Sequence, residues 1–207
     1  MIGENRILTT LRAVIKKSPA EHTEAVFIGG TLGLTRYANS YIHQNLTENN
    51  TKVIFRTVTN SRIGVTSTNS FNKDDLYRGL VNSFKIAQHQ QPNPDFKGLP
   101  MSCKDKKTKT FFEPTAIYSP RQRAEVIRKI CRQAEKYGIT MAGAFSTSSS
   151  EIAVVNSNGL ALYQPLTTAY INLIAMTDTS SGLSLIHISE HTRPLYISYA
   201  VFCLKKK

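Results

Sequence analysis

The stretch TKVIFRTV, residues 51–58, is followed at Asn60-Ser61 by IGVTST, residues 63–68, and no other part of the chain constrains the fold as much. β-branched and aromatic residues crowd the first run, and a short polar dipeptide separates it from a second run of the same kind. That pattern predicts an antiparallel hairpin and commits the chain to a β-sheet.

The remaining elements are read around that hairpin. Ile7, Leu8, Leu11, Val14 and Ile15 recur at helical spacing over residues 5–17, and Ser18-Pro19 stops the helix. TEAVFIGG, residues 23–30, reads as a strand with Gly29-Gly30 as its turn. LTRYANSYIHQNL, residues 34–46, reads as extended, with a bend or bulge near Asn39-Ser40. Asn72 caps a second helix, with Asp74 and Asp75 at the positive end of its dipole and Leu76, Leu80, Phe84 and Ala87 as its apolar stripe. QQPNPDFKGLP, residues 90–100, cannot continue that helix, and with the lysine-rich CKDKKTKT behind it reads as a surface connection.

Ser119-Pro120-Arg121-Gln122 is a capping box with proline at the first helical position. The third helix runs from there to about Tyr137, with Ile127, Ile130, Cys131 and Ala134 inward and Arg121, Arg128, Arg132 and Lys136 toward water. TMAGAFSTSSS, EIAVVNSNGLALYQP with a turn at residues 156–159, and TTAYINLIAM then read as strands. The expected class is α+β: antiparallel β-sheets with helices packed on one face. The expected division is residues 1–100, a linker at 101–116, the start of a central domain at 117–182, and a tail at 183–207.

Composition excludes more functions than it suggests. No run approaches the roughly 18 apolar residues of a membrane span, and the amino terminus lacks a signal-peptide core. Cys103, Cys131 and Cys203 have neither metal-type nor disulfide-framework spacing, which fits a reducing, cytoplasmic compartment. The formal charge of +12 invites a nucleic-acid reading, but four cations and one acid of that balance lie in residues 183–207. The rest are scattered, as on an ordinary solvated surface, so no nucleic-acid partner is expected. There is no phosphate-binding glycine loop, no CxxC pair and no HExxH helix. His22, His43 and His89 lie far apart, no two carboxylates stand out as an acid/base pair, and Ser146–Ser150 lack a nucleophile elbow.

LTRYANSYIHQNLTENNTKVIFRTVTNSRIGVTSTN, residues 34–69, resembles the amino-terminal domain of the TldD/PmbA family. The likeness runs on through the second helix into PNPDFKGLP, and more weakly into the third helix, covering most of residues 5–182. The resemblance implies a cytoplasmic protein of about twice this length, paired with a related TldD/PmbA-type subunit and acting on unfolded or modified peptides. It implies zinc metallopeptidase-like activity, with a metal helix in the carboxyl-terminal domain of the TldD type alone. That region is absent from these motifs, so no catalytic or metal residue is carried over and no cofactor is expected in this piece. Arg36, Asn39 and His43 are candidates to line a cleft where a substrate peptide pairs with a sheet edge. The competing reading makes them turn and surface residues. A non-catalytic PmbA-type partner that holds peptide is the alternative for the whole, and a basic nucleic-acid-associated domain is a third.

LSLIHISEHTRPLYISYAVFCLKKK, residues 183–207, reads differently when turned back into codons. CTG TCT CTT ATA CAC ATC TCC GAG, from a transposase sequencing adapter, encodes Leu183 to Glu190. After one base change at His191 and a short sample barcode over Pro194-Leu195-Tyr196, ATC TCG TAT GCC GTC TTC TGC TTG encodes Ile197 to Leu204. A run of A supplies the last three lysines. The expectation is that the reading frame entered adapter at about Leu183, truncating the chain before a metallopeptidase domain.

Overall fold

The computed structural model of the chain describes residues 1–102, 108–177 and 181–188. The lysine-rich stretch at 103–107 and tail residues 189–207 lie outside the described residues. Among the described residues, three long helices and a six-stranded sheet of order β3-β2-β1-β4-β5-β6 make up the fold, with every neighbouring pair antiparallel. The elements are α1 (Glu4–Ile15), β1 (His22–Ala38), β2 (Tyr41–Thr59), β3 (Arg62–Thr68), α2 (Lys73–His89), a one-turn α3 (Glu113–Ala116), α4 (Pro120–Glu135), β4 (Thr140–Asn156), β5 (Ala161–Met176) and β6 (Ser181–Ile188). This is the α+β class with helices on one face of the sheet.

Alternation along β1 explains the layering. Thr23, Ala25, Phe27, Thr35 and Tyr37 point to the helices and are buried, while the intervening residues face the other side. Ile7, Leu11, Val14, Leu76 and Leu80 from α1 and α2 close over Ala25, Phe27, Val53 and Phe55 in one core cluster. Tyr37, Ile127, Cys131 and Met141 form a second cluster beneath α4.

Asn72 Oδ1 accepts from the Asp74 backbone N–H at 3.0 Å, and the capping box at Ser119 and Gln122 is formed in both directions. The Asn60-Ser61 hairpin also forms as expected, with β2 and β3 in register from Val53↔Thr68 to Thr59↔Arg62.

Two strand boundaries differ from the sequence reading. Gly29-Gly30 is no turn: β1 runs straight through it, and a Cβ at Gly30 would collide with the Ser149 carbonyl of β4. Gly30 marks a close approach of neighbouring backbones within a sheet, while at Gly29 the Phe27 ring fills the place of a Cβ. The stretch at 34–46 is not one extended segment either. Asn39 and Ser40, with φ of 51° and 59°, form a tight turn between β1 and β2. Successive positive φ angles match the twist that joins antiparallel strands, and Asn tolerates them. The register shift lies beside that turn: Arg36 pairs with Gln44 and Tyr37 with Ile42, leaving His43 as the extra residue of a bulge.

The last strand readings merge. β4 is continuous through Ser150-Glu151, and β5 through Pro165. Proline is tolerated there because β6 covers only Ala169 to Met176 of β5, so no ladder bond is lost. Pairing of Glu24–Tyr37 with Gly143–Asn156 carries the sheet across both halves of the chain. Leu183–Ile188, the start of the questioned tail, pair with β5 as part of β6.

Candidate functional site

The tip of the β1–β2 hairpin is fastened to both β4 and β5. Ser40 donates its backbone N–H to the Met141 carbonyl at 2.8 Å, and its hydroxyl accepts from the Met141 N–H at 3.1 Å. Tyr37 donates to the Asn172 carbonyl at 3.4 Å. Between this tip and α4 lies a groove of about 470 Å³, lined by Ser40, Tyr41, Ile42, Ile127, Arg128, Cys131, Arg132 and Glu135 among others. Its floor is apolar and its rim carries two guanidinium groups and one carboxylate.

Arg36, Asn39 and His43 all lie at this end of the hairpin, yet they do not converge. Arg36 is exposed and faces away from the helices, donating to Gln44 Oε1 at 3.3 Å. Asn39 is the first turn residue and is exposed, and His43 is the exposed bulge residue. No hydrogen bond joins any two of the three among the described residues. None of the three lines the groove; Ser40, Tyr41 and Ile42 do.

Two buried polar residues escaped the sequence reading. Arg123 is 2% exposed, on the inner face of α4. Its Nη1 donates to the Tyr118 carbonyl and to Thr147 Oγ1, both at 2.9 Å, and its Nε to Thr35 Oγ1 at 3.2 Å. No carboxylate is bonded to it among the described residues, and burial lowers its pKa. The guanidinium lies flat on Gly33, where a Cβ would sit 2.5 Å from Nη1. Glu151, 1% exposed, accepts from the backbone N–H groups of Ile2 and Gly3 at 2.6 and 2.8 Å and from the Tyr163 hydroxyl at 2.8 Å. It thereby ties the start of α1 to the sheet. The spacing signals existed: Arg123 precedes Ile127 and Cys131 by four and eight residues on one stripe, and Glu151 alternates with Ala153 and Val155.

Both buried titratable groups beside the hairpin tip, Cys131 and Tyr37, are shifted toward their protonated forms. Burial pushes the Cys131 thiol up, with Glu135 adding to the shift, so at neutral pH it is a protonated thiol and a poor nucleophile. Burial likewise pushes Tyr37 up to about 12. No group of three His, Cys, Asp or Glu side chains is placed to hold a metal among the described residues. His22 lies against Phe96 with ring centroids 5.7 Å apart, His43 sits in the bulge and His89 ends α2, so they cannot share an ion. No helix of the described residues is long and apolar enough to cross a membrane.

Comparison with solved structures decides the fold. TldE from Thermococcus kodakarensis superposes with a TM-score of 0.80 at 18% identity, over 87% of this chain and 43% of that one. The fold is the one found in TldE. TldE is a TldD/PmbA-family protein, so the likeness agrees with the motifs of residues 34–69. A proposed DNA gyrase modulator from Thermotoga maritima gives a TM-score of 0.65 at 12% identity, over 80% of this chain and 38% of its own. Another from Bacteroides thetaiotaomicron gives 0.67 at 10%, over 90% and 45%. The chain therefore spans less than half the length of each. No family profile matches the sequence, and no curated protein does.

Proposed function

We propose that this chain is the amino-terminal part of a TldD/PmbA-family metallopeptidase-like protein that processes unfolded or modified peptides. The observation carrying this reading is the likeness to TldE, which takes in 87% of this chain but 43% of TldE. In this reading the chain supplies a rigid frame that holds peptide beside the β1–β2 hairpin. The chemistry resides in a carboxyl-terminal domain, or in a related partner subunit, of a cytoplasmic assembly. In this reading zinc belongs to that other domain; among the described residues His22, His43 and His89 lie on separate elements.

The adapter codons of residues 183–207 fit the same reading. Main-chain pairing with the free side of β5 needs only an extended backbone, so β6 forms whatever the origin of its codons. Sequencing the source locus across the codon for Gly182 tests the proposal. The expected result is a frame that leaves the present one at about Leu183 and continues into a further domain. A metal helix there marks the TldD type, and its absence marks the non-catalytic PmbA type. Genomic codons that run through Leu183 to Lys207 and then stop overturn the proposal.

A further inference from the structure

Strand β2 is 19 residues long, but β3 covers only Val53 to Thr59 of it. Residues 41–52 pair with β1 on one side and with nothing on the other among the described residues. At about 3.3 Å per residue, that is roughly 40 Å of unpaired main chain. Natural edge strands are blunted by proline, by lysine or by a covering element. This edge, YIHQNLTENNTK, has no proline and carries its single lysine at the far end, Lys52.

The side chains along the edge suit a peptide backbone. Asn45 and Asn49 project on the helix side of β2 and are exposed. Each uses its Oδ1 to accept a threonine hydroxyl of β1, Thr35 at 3.2 Å and Thr31 at 2.6 Å. Both amide N–H₂ groups are thereby left without a partner among the described residues. The edge begins at Tyr41 and Ile42, in the wall of the groove beside α4. On that rim, neither Arg128 nor Arg132 has an ion pair among the described residues, and the one acid present is Glu135.

We propose that the free edge of β2 over residues 41–52 docks an extended peptide segment as an added strand, with acidic side chains of that segment meeting Arg128 and Arg132. Main-chain pairing makes the site tolerant of sequence, and the two arginines add a preference for acid near one end. The groove floor of Ile42, Ile127 and Cys131 takes an apolar side chain between the acids. This rests on the peptide-holding reading above but is tested separately from it, because the source locus is read without any binding measurement.

The probe is a fluorescein-labelled, end-blocked decapeptide alternating Glu and Val, titrated into the 207-residue chain and followed by anisotropy. A Lys-Val decapeptide and a Glu-Val decapeptide N-methylated at alternate residues serve as controls. The expected result is saturable binding of the Glu-Val peptide, a loss of at least about tenfold on N-methylation, and a similar loss for the Lys-Val peptide. Arg128→Glu with Arg132→Glu, on the exposed side of α4, is expected to weaken Glu-Val binding by about tenfold, with circular dichroism unchanged. Binding indifferent to N-methylation, or indifferent to both arginine changes, overturns the site while leaving the reading of the parent gene intact. Absence of binding overturns it too, as does light scattering that shows a second copy of the chain already seated on this edge.

Discussion

Asn60 and Ser61 hold φ of 49° and 59°, and Asn39 and Ser40 hold 51° and 59°, so one dipeptide builds the same tight turn twice. Glycine reaches this region without steric cost. The Ser61 side chain makes no hydrogen bond among the described residues, so Ser61→Gly is expected to raise stability by about 0.5 kcal/mol in urea unfolding. Ser40→Gly is expected to give no such gain, because its hydroxyl accepts from the Met141 N–H. Equal gains from both would contradict the account. The same comparison shows what the sequence could and could not convey. Asn60-Ser61 stood between two plainly β-branched runs and was legible as a turn. Asn39-Ser40 stood between Arg-Tyr-Ala and Tyr-Ile-His-Gln-Asn, where polar residues blur the alternation, and only a bend or bulge could be read.

Tyr37 supplies a second prediction at this scale. Burial raises its pKa from 10.0 to about 12, with the neighbouring Cys131 adding to the effect. The folded protein keeps a proton that the unfolded chain releases, so the contribution is complete below about pH 10 and fades as the pH rises toward about 12. Tyr163 is shifted upward as well, by burial first and then by its bond to Glu151, and works in the same direction. Thermal unfolding midpoints should therefore drop across that alkaline window, and Tyr37→Phe should make the drop shallower. An unchanged slope in the variant would count against a buried, protonated Tyr37.

At the level of elements, α4 meets the sheet through Ile127 and Cys131 and, in its first turn, through a guanidinium laid on a glycine. A Cβ at Gly33 would stand 2.5 Å from Arg123 Nη1 and 2.7 Å from its Cζ. Overpacking of that kind costs about 2 kcal/mol. Gly33→Ala should therefore destabilise strongly in the natural background and far less when Arg123→Met has removed the planar group. A double-mutant cycle in urea reads the coupling directly, and simple additivity would show that the two residues do not lean on each other. Helix ends were legible because Asn72 and Ser119 announce them with side-chain chemistry. Strand ends were not. β1, β2, β4 and β5 run 16 to 19 residues, and their polar or glycine-bearing middles, Gly29-Gly30 and Ser146–Ser150 above all, read as interruptions until pairing supplied the missing order.

For the whole molecule, the layering carries the meaning. α1, α2 and α4 cover one face of the sheet, while Ile28 and Ile152 stand 42% and 39% exposed on the other. Val65 joins them at 50%, opposite Arg56 on β2. Exposed apolar groups on that sheet face and, among the described residues, an unpaired stretch of β2 are the surfaces the proposed peptide-holding frame would use. Arg36, Asn39 and His43 all lie toward the hairpin tip, but none of them lines the groove beside α4. Its lining was hidden, since Arg128 and Arg132 come to that groove only through the packing of α4 against β1 and β2.

The central claim is that this chain holds peptide and leaves its cleavage to other parts. Zinc content by elemental mass spectrometry, taken together with hydrolysis of an unfolded peptide by the purified 207-residue chain alone, tests that most directly. The account predicts neither bound zinc nor cleavage; stoichiometric zinc accompanied by unaided hydrolysis would contradict it.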